Sequence, residues 1–229
     1  MREPDAAQAP LRVVLADDEA MMRAGIRAIL TAVPGIEVVG EAEDGAAAVE
    51  LVAELRPDIA LLDVQMPGTD GLAATEAITS RYPDTAVVIL TTFSEDAYIA
   101  RALSGGASGF VLKSGDPTQL VTGLRAVADG GAYLSPEIAR RVIDELGASG
   151  PRLSRGTAAR ERVDALSDRE RQVLALVGEG WSNDQIARRL GIAPGTVKVH
   201  VGSVLTRLDV RNRVQAAVLA YEAGLVDGS

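Results

Sequence analysis

A chain of 229 residues, 47% hydrophobic, is long enough for one large or two small globular domains. It has no cysteine and a single histidine, His200, which excludes disulfides, thiolate metal sites and histidine-cluster zinc sites. The net charge of -9 is uneven: residues 1–150 hold 11 basic and 23 acidic side chains, residues 151–229 hold 12 and 9, so an acidic part precedes a basic one suited to an anionic partner.

The first ten residues, MREPDAAQAP, are polar and lack a signal pattern. No apolar run is long enough to span a bilayer, so a cytoplasmic protein with no membrane partner is expected. Strand patterns follow at 11–16, 36–41, 58–63, 85–91 and 108–113, and helical patterns lie between them at 20–32, 44–55, 70–81, 95–104 and 116–129. Asp116, Pro117 and Gln119 supply an N-cap, a first-turn proline and a reaching side chain for the last of these helices. Alternating βα units predict a doubly wound, five-stranded parallel sheet, and the continuous apolar strands fit burial on both faces. Ser135-Pro136 opens a sixth helix to about Leu146. Residues 147–164 are small, polar and basic and read as a flexible linker with a reach of about 20 Å. The boundaries are thus 10–130 for the first domain, 131–164 for a linker helix and linker, and 165–229 for a four-helix second domain.

In such a sheet, ligands bind beyond the carboxyl ends of the strands. Those ends carry Asp17 and Asp18, Asp63, Thr91 and Lys113. Three carboxylates together repel and need a counter-charge. Mg²⁺ suits carboxylate, phosphate and water oxygens, and an aspartate can act as a nucleophile toward phosphorus. Lys113 would neutralise phosphoryl oxygens and Thr91 would hydrogen-bond them. The chain has 21 arginines and only two lysines, Lys113 and Lys198. An ammonium is a compact point charge that fits a crowded phosphoryl site better than a planar guanidinium.

On these residues, 10–130 resembles the receiver domain of two-component response regulators. The resemblance implies strand order 2-1-3-4-5 and Asp63 as phospho-acceptor. Asp17 and Asp18 would form the acidic pocket, with Asp18, Asp63 and the backbone carbonyl of Gln65 as Mg²⁺ ligands. Thr91 would be the switch hydroxyl, Phe110 the switch aromatic and Lys113 the phosphate partner. A phosphohydrolase of the haloacid-dehalogenase type, the other reading of an aspartate nucleophile, has a second Asp two residues on, where this chain has Gln65.

In the basic part, Ser167 to Glu170 and Ser182 to Gln185 form two capping boxes, each before an apolar stripe. The stretches SNDQIARRL and APGTVKVHVGSVLTRL are two helices joined by a turn at Gly191, a helix-turn-helix pattern. The second would enter the major groove with its N-terminal residues at base edges. Helical spacing places Thr196, Lys198, Val199, Ser203 and Arg207 on or near the outer face, with Val197, Val201, Val204 and Leu208 inside. A further helix covers about 211–223 and stops at Gly224. LSDRERQVL, SNDQIARRL, GTVKVHV and RVQAAVLA resemble the LuxR-type DNA-binding domain, and the whole chain resembles the NarL/FixJ class of response regulators. That implies a sensor histidine kinase as partner, promoter DNA as target, a homodimer when phosphorylated, and no enzymatic role beyond phosphoryl transfer to and hydrolysis from Asp63. Two departures stand out. Ala193 occupies the cap position of the second helix, where the family has Ser or Thr, a loss of about 1 kcal/mol. Gly195 and Gly202 lie inside that helix, and Gly202 takes a position where some relatives carry a base-reading side chain; fraying of the helix without DNA is expected.

Overall fold

The computed structural model describes residues 9–92, 96–135, 138 and 152–226. Six strands form one parallel sheet in the order β2-β1-β3-β4-β5-β6. They are β1 (Leu11–Ala16), β2 (Ile36–Ala42), β3 (Ile59–Asp63), β4 (Ala86–Thr91), β5 (Gly109–Leu112) and β6 (Tyr133–Leu134). Helices α1 (Ala20–Thr31), α2 (Gly45–Leu55), α3 (Gly71–Arg81), α4 (Asp96–Gly105) and α5 (Pro117–Ala128) connect them.

Every residue of β3 is buried because its alternating side chains enter two different cores. Ala60 and Leu62 join Val52, Ile78 and Ile99, from α2, α3 and α4. Ile59 and Leu61 join Ile26, Leu30, Leu120 and Leu124, from α1 and α5. The five expected strands are present in the expected order. The sixth, β6, was not expected: two residues make no periodic signal, yet Tyr133 N donates to Ser108 O at 3.2 Å and Ser135 N to Phe110 O at 3.0 Å, which pairs the segment with β5. The helix expected from Ser135 to about Leu146 lies outside the described residues, apart from Ser135 and Ile138.

Among the described residues, the C-terminal part is helical throughout: α6 (Arg152–Asp164), α7 (Asp168–Gly178), α8 (Asn183–Leu190), α9 (Pro194–Arg207) and α10 (Arg213–Glu222). The 147–164 segment is therefore not a flexible linker over its whole length; 152–164 is α6. Ala159 and Val163, one turn apart, are buried with Leu166 in the same core as Val173, Leu174, Ile186, Val201 and Leu219. Arg160 Nε donates to Ala223 O at 3.2 Å and Arg162 donates to Leu208 O, so basic side chains satisfy carbonyls at the ends of α10 and α9. Both capping boxes form as expected, Gly191 ends α8 with φ 64°, and Ala193 makes no side-chain cap for α9.

Candidate functional site

Parallel register brings the strand ends level. Asp63 stands opposite Leu90, the residue before Thr91, and the backbone N–H of Lys113 donates to Thr91 O at 2.8 Å. Asp17 continues β1 through its N–H to Ala42 O, at 3.2 Å, and is 0% exposed. The turn after it is pinned on both sides. Asp17 Oδ1 accepts from Glu19 N at 3.0 Å, while Arg23 donates to Asp17 O at 2.6 Å and reaches Glu43 at 3.1 Å. Carboxylate oxygens of Asp17, Asp18 and Asp63 lie within 4.8 Å of one another.

Lys113 Nζ sits 2.8 Å from Asp17 Oδ2 and 2.8 Å from Asp63 Oδ2, with its side chain 2% exposed. One ammonium thus bridges two buried carboxylates, while Asp18 and Gln65 face solvent. Thr91 is buried at the end of β4, and Phe110 is buried within β5. Glycine is obligatory beside the acid: a Cβ on Gly71 would lie 1.8 Å from the Asp63 carbonyl oxygen, so α3 can start there only without a side chain.

Burial pushes the Asp63 carboxyl above its ordinary value; the bond and charge of Lys113 oppose this and the Asp17 charge adds to it. Burial acts to lower Lys113, but its bonds and charge interactions with Asp17 and Asp63 together raise it. Ionised Asp63 therefore subtracts stability above its raised folded pKa, and that cost vanishes as pH falls below the unfolded value near 3.8. Asp63→Asn is expected to unfold at higher urea than wild type at pH 7, with the gap closing in acid. Equal midpoints at every pH would mean that the site does not strain Asp63.

In the basic part, α8, the Gly191 turn and α9 form a helix-turn-helix. Val197, Val201 and Val204 of α9, and Leu208 at its C-cap, are buried as expected. Thr196, Lys198 and Val199 are exposed, Val199 by 71%. Gly195, Gly202 and Thr206 share that exposed side; sequence reasoning missed Thr206, whose hydroxyl donates to Gly202 O at 3.0 Å. Ser203 and Arg207 lie on the flank toward α7. Ser203 Oγ donates to Glu170 Oε1 at 2.5 Å, and Arg207 Nε lies 3.2 Å from the same oxygen. Bonds from Ser203 and then Ser167 hold the Glu170 carboxyl down at about 2. His200 is half-buried, and Trp181 packs against the second core.

A junction between the two parts had no counterpart in the sequence reading. Asn212 caps α10 with its Oδ1, accepting from Gln215 N at 2.8 Å, and donates from Nδ2 to Leu103 O at 2.8 Å and Ala107 O at 2.9 Å. Gln215 Nε2 also donates to Leu103 O, at 2.9 Å. These carbonyls close α4 and the turn into β5, where helical partners run out. Arg213 donates to Gly130 O and Asn183 Oδ1, each at 2.9 Å, and to Trp181 O; burial pushes its guanidinium down to about 10.

Comparison with known proteins returned two family models: the response regulator receiver domain over residues 13–125, and the luxR family of bacterial regulatory proteins over 164–220. The transcriptional regulatory protein LiaR of Bacillus subtilis (strain 168) is 37% identical over 95% of this chain and 100% of its own length. The nitrate/nitrite response regulator NarL of Escherichia coli (strain K12) is 35% identical over 94% and 97%. A solved complex of the two-component response regulator RcsB with DNA matches 93% of this chain and 98% of that one, with 27% identity and a TM-score of 0.55.

Proposed function

The chain belongs to the response regulators that join a receiver domain to a LuxR-type DNA-binding domain, and we propose that phosphorylation of Asp63 is the event that switches this transcription regulator. The observation that carries the reading is the Lys113 ammonium held between two buried carboxylates at the carboxyl edge of the sheet. A sensor histidine kinase is the donor. A carboxylate oxygen of Asp63 attacks the phosphorus of its phosphohistidine; a P–O bond forms, the P–N bond breaks, and the imidazole nitrogen keeps the electron pair. Asp18, Asp63 and the backbone carbonyl of Gln65, with Asp17 beside them, are the oxygen-only set that would hold Mg²⁺. Mg²⁺ bound there supplies positive charge to the phosphoryl oxygens. Lys113 supplies it as well, Thr91 donates its hydroxyl to the phosphoryl group, and Phe110 repacks behind Thr91.

The α4–β5 turn lies between those switch residues and α10. Leu103 and Ala107 carbonyls accept Asn212 and Gln215, so any shift of β4 and β5 acts on this junction. Opening it releases α10 for a homodimer, and two copies of α9 meet paired promoter half-sites. Thr196, Lys198 and Val199 are the base-facing side chains. The solved RcsB–DNA complex supports DNA as the partner.

The test is DNA affinity of the full chain with and without beryllofluoride, using duplex recovered by selection from a random library. Tighter binding with beryllofluoride is expected; an equal affinity removes the phosphorylation switch. Asn212→Asp separates the junction from the helix cap. Aspartate still caps α10, but its carboxylate faces two carbonyl oxygens where an amide donated. Losing two buried hydrogen bonds and gaining repulsion should favour opening by about 2–3 kcal/mol. The variant is expected to bind DNA without beryllofluoride nearly as tightly as wild type binds with it. Wild-type dependence on beryllofluoride in Asn212→Asp would mean that the junction plays no part in the switch.

A further inference from the structure

We propose that Glu170 withdraws Ser203 and Arg207 from DNA and confines base reading to the first two turns of α9. This rests on α9 being the base-reading helix, as above. The carboxylate of Glu170 holds three hydrogen bonds and one ion-pair contact. Oε2 accepts from Ser167 N at 2.9 Å and from Ser167 Oγ at 2.7 Å; Oε1 takes Ser203 Oγ at 2.5 Å and Arg207 Nε at 3.2 Å.

Glu170 is 5% exposed and Arg207, about half exposed, holds its Nε against it, so releasing Arg207 would take from a buried carboxylate its one cationic contact among the ion pairs of the described residues. A guanidinium already neutralised by a neighbouring carboxylate adds nothing to counterion release when DNA binds. Ser203 has its hydroxyl proton committed to the same oxygen. The rest of the exposed face beyond Val199 offers little: Gly202 has no side chain, and the Thr206 hydroxyl donates to Gly202 O. Side chains able to reach base edges are therefore Thr196, Lys198 and Val199, all near the N-terminus of α9. Glu170 acts through Ser203 and Arg207, touches no base, and is a positioning residue. It serves twice: it closes the capping box of α7 and clamps the C-terminal half of α9 to α7. The chain consequently reads a short core in each half-site, with specificity concentrated on Lys198 and Val199.

Salt dependence separates this role from ordinary structural support. The full chain is titrated with the selected duplex over a salt series, as wild type, Arg207→Gln, Glu170→Gln, the double variant and Lys198→Ala. Arg207→Gln is expected to keep the wild-type salt slope and sequence preference. Glu170→Gln frees Arg207 for a phosphate and should steepen the slope by about one unit. The double variant should return to the wild-type slope, a rescue that a loss of packing cannot produce. A slope flattened by about one unit in Arg207→Gln, or an unchanged slope in Glu170→Gln, overturns the proposal. Should Glu170→Gln fail to fold, Arg207→Gln decides alone, because that side chain is about half exposed. Lys198→Ala tests the docking itself: wild-type affinity and preference in that variant would remove α9 from the groove, whereas a weakened Lys198→Ala beside a flattened Arg207→Gln would remove only the clamp.

Discussion

Asp63→Ala is expected to take up no phosphoryl group from acetyl phosphate in the presence of Mg²⁺, where the wild-type chain takes up one. The other carboxylates of the pocket cannot replace it, for different reasons. Asp17 is 0% exposed and both of its oxygens are engaged, Oδ1 by Glu19 N and Oδ2 by Lys113. Asp18 is exposed, and no contact joins it to Lys113 among the ion pairs of the described residues, so phosphoryl oxygens arriving there would lack the ammonium. Asp63 has that ammonium and is the less deeply buried of the two acids it bridges. The variant should remain folded, because Lys113 keeps Asp17 as a partner and the lost carboxylate is one that burial disfavours in its ionised form. Intact-mass measurement before and after acetyl phosphate gives the result directly. Stoichiometric label at another residue of Asp63→Ala would take the phospho-acceptor role away from Asp63.

The pocket was legible in the sequence because its acids, Thr91 and Lys113 each stand at the carboxyl end of a strand or within two residues of it. A run such as Ile59 to Leu62 fixes the strand by composition, parallel pairing fixes where it stops, and a polar residue at the stop must lie on the ligand edge. No long-range information is needed beyond the βα alternation. The reading of α9 put its inner and outer faces where the structure has them and left the borders between them open. Ser203 and Arg207 sit one flank away from the exposed centre formed by Gly195, Lys198, Val199 and Gly202, and which flank faces protein depends on Glu170, 33 residues from Ser203. Periodicity gives a helix its two faces but says nothing about what stands at their borders. The 152–164 segment failed for a related reason. A helix that buries only Ala159 and Val163 in its described C-terminal half has too thin an apolar stripe to stand out from polar linker composition. The junction at Asn212 depends on backbone carbonyls more than 100 residues away, which no local pattern can announce.

Lys113→Arg is expected to leave a folded protein that can be phosphorylated but no longer answers to it. The substitution keeps the charge and changes its shape. Lys113 Nζ contacts two carboxylate oxygens at 2.8 Å in a pocket that leaves its side chain 2% exposed. A guanidinium is wider, planar and directional, and placing it between the same oxygens forces the end of β5 or the two aspartates apart. Electrostatic balance is preserved, so Asp63 should still accept a phosphoryl group, more slowly. Coupling is different. The Lys113 backbone N–H is bonded to Thr91 O, so the ammonium turning from Asp63 to a phosphoryl oxygen would draw the ends of β4 and β5 together, and the α4–β5 turn that holds Asn212 with them. An arginine already splayed across the pocket has no comparable movement left. The measurement is the ratio of DNA affinities with and without beryllofluoride, expected to fall close to one in Lys113→Arg while Mg²⁺ binding persists. A ratio equal to that of wild type would mean that Lys113 contributes charge alone, and that its survival as one of two lysines beside 21 arginines has no basis in the pocket.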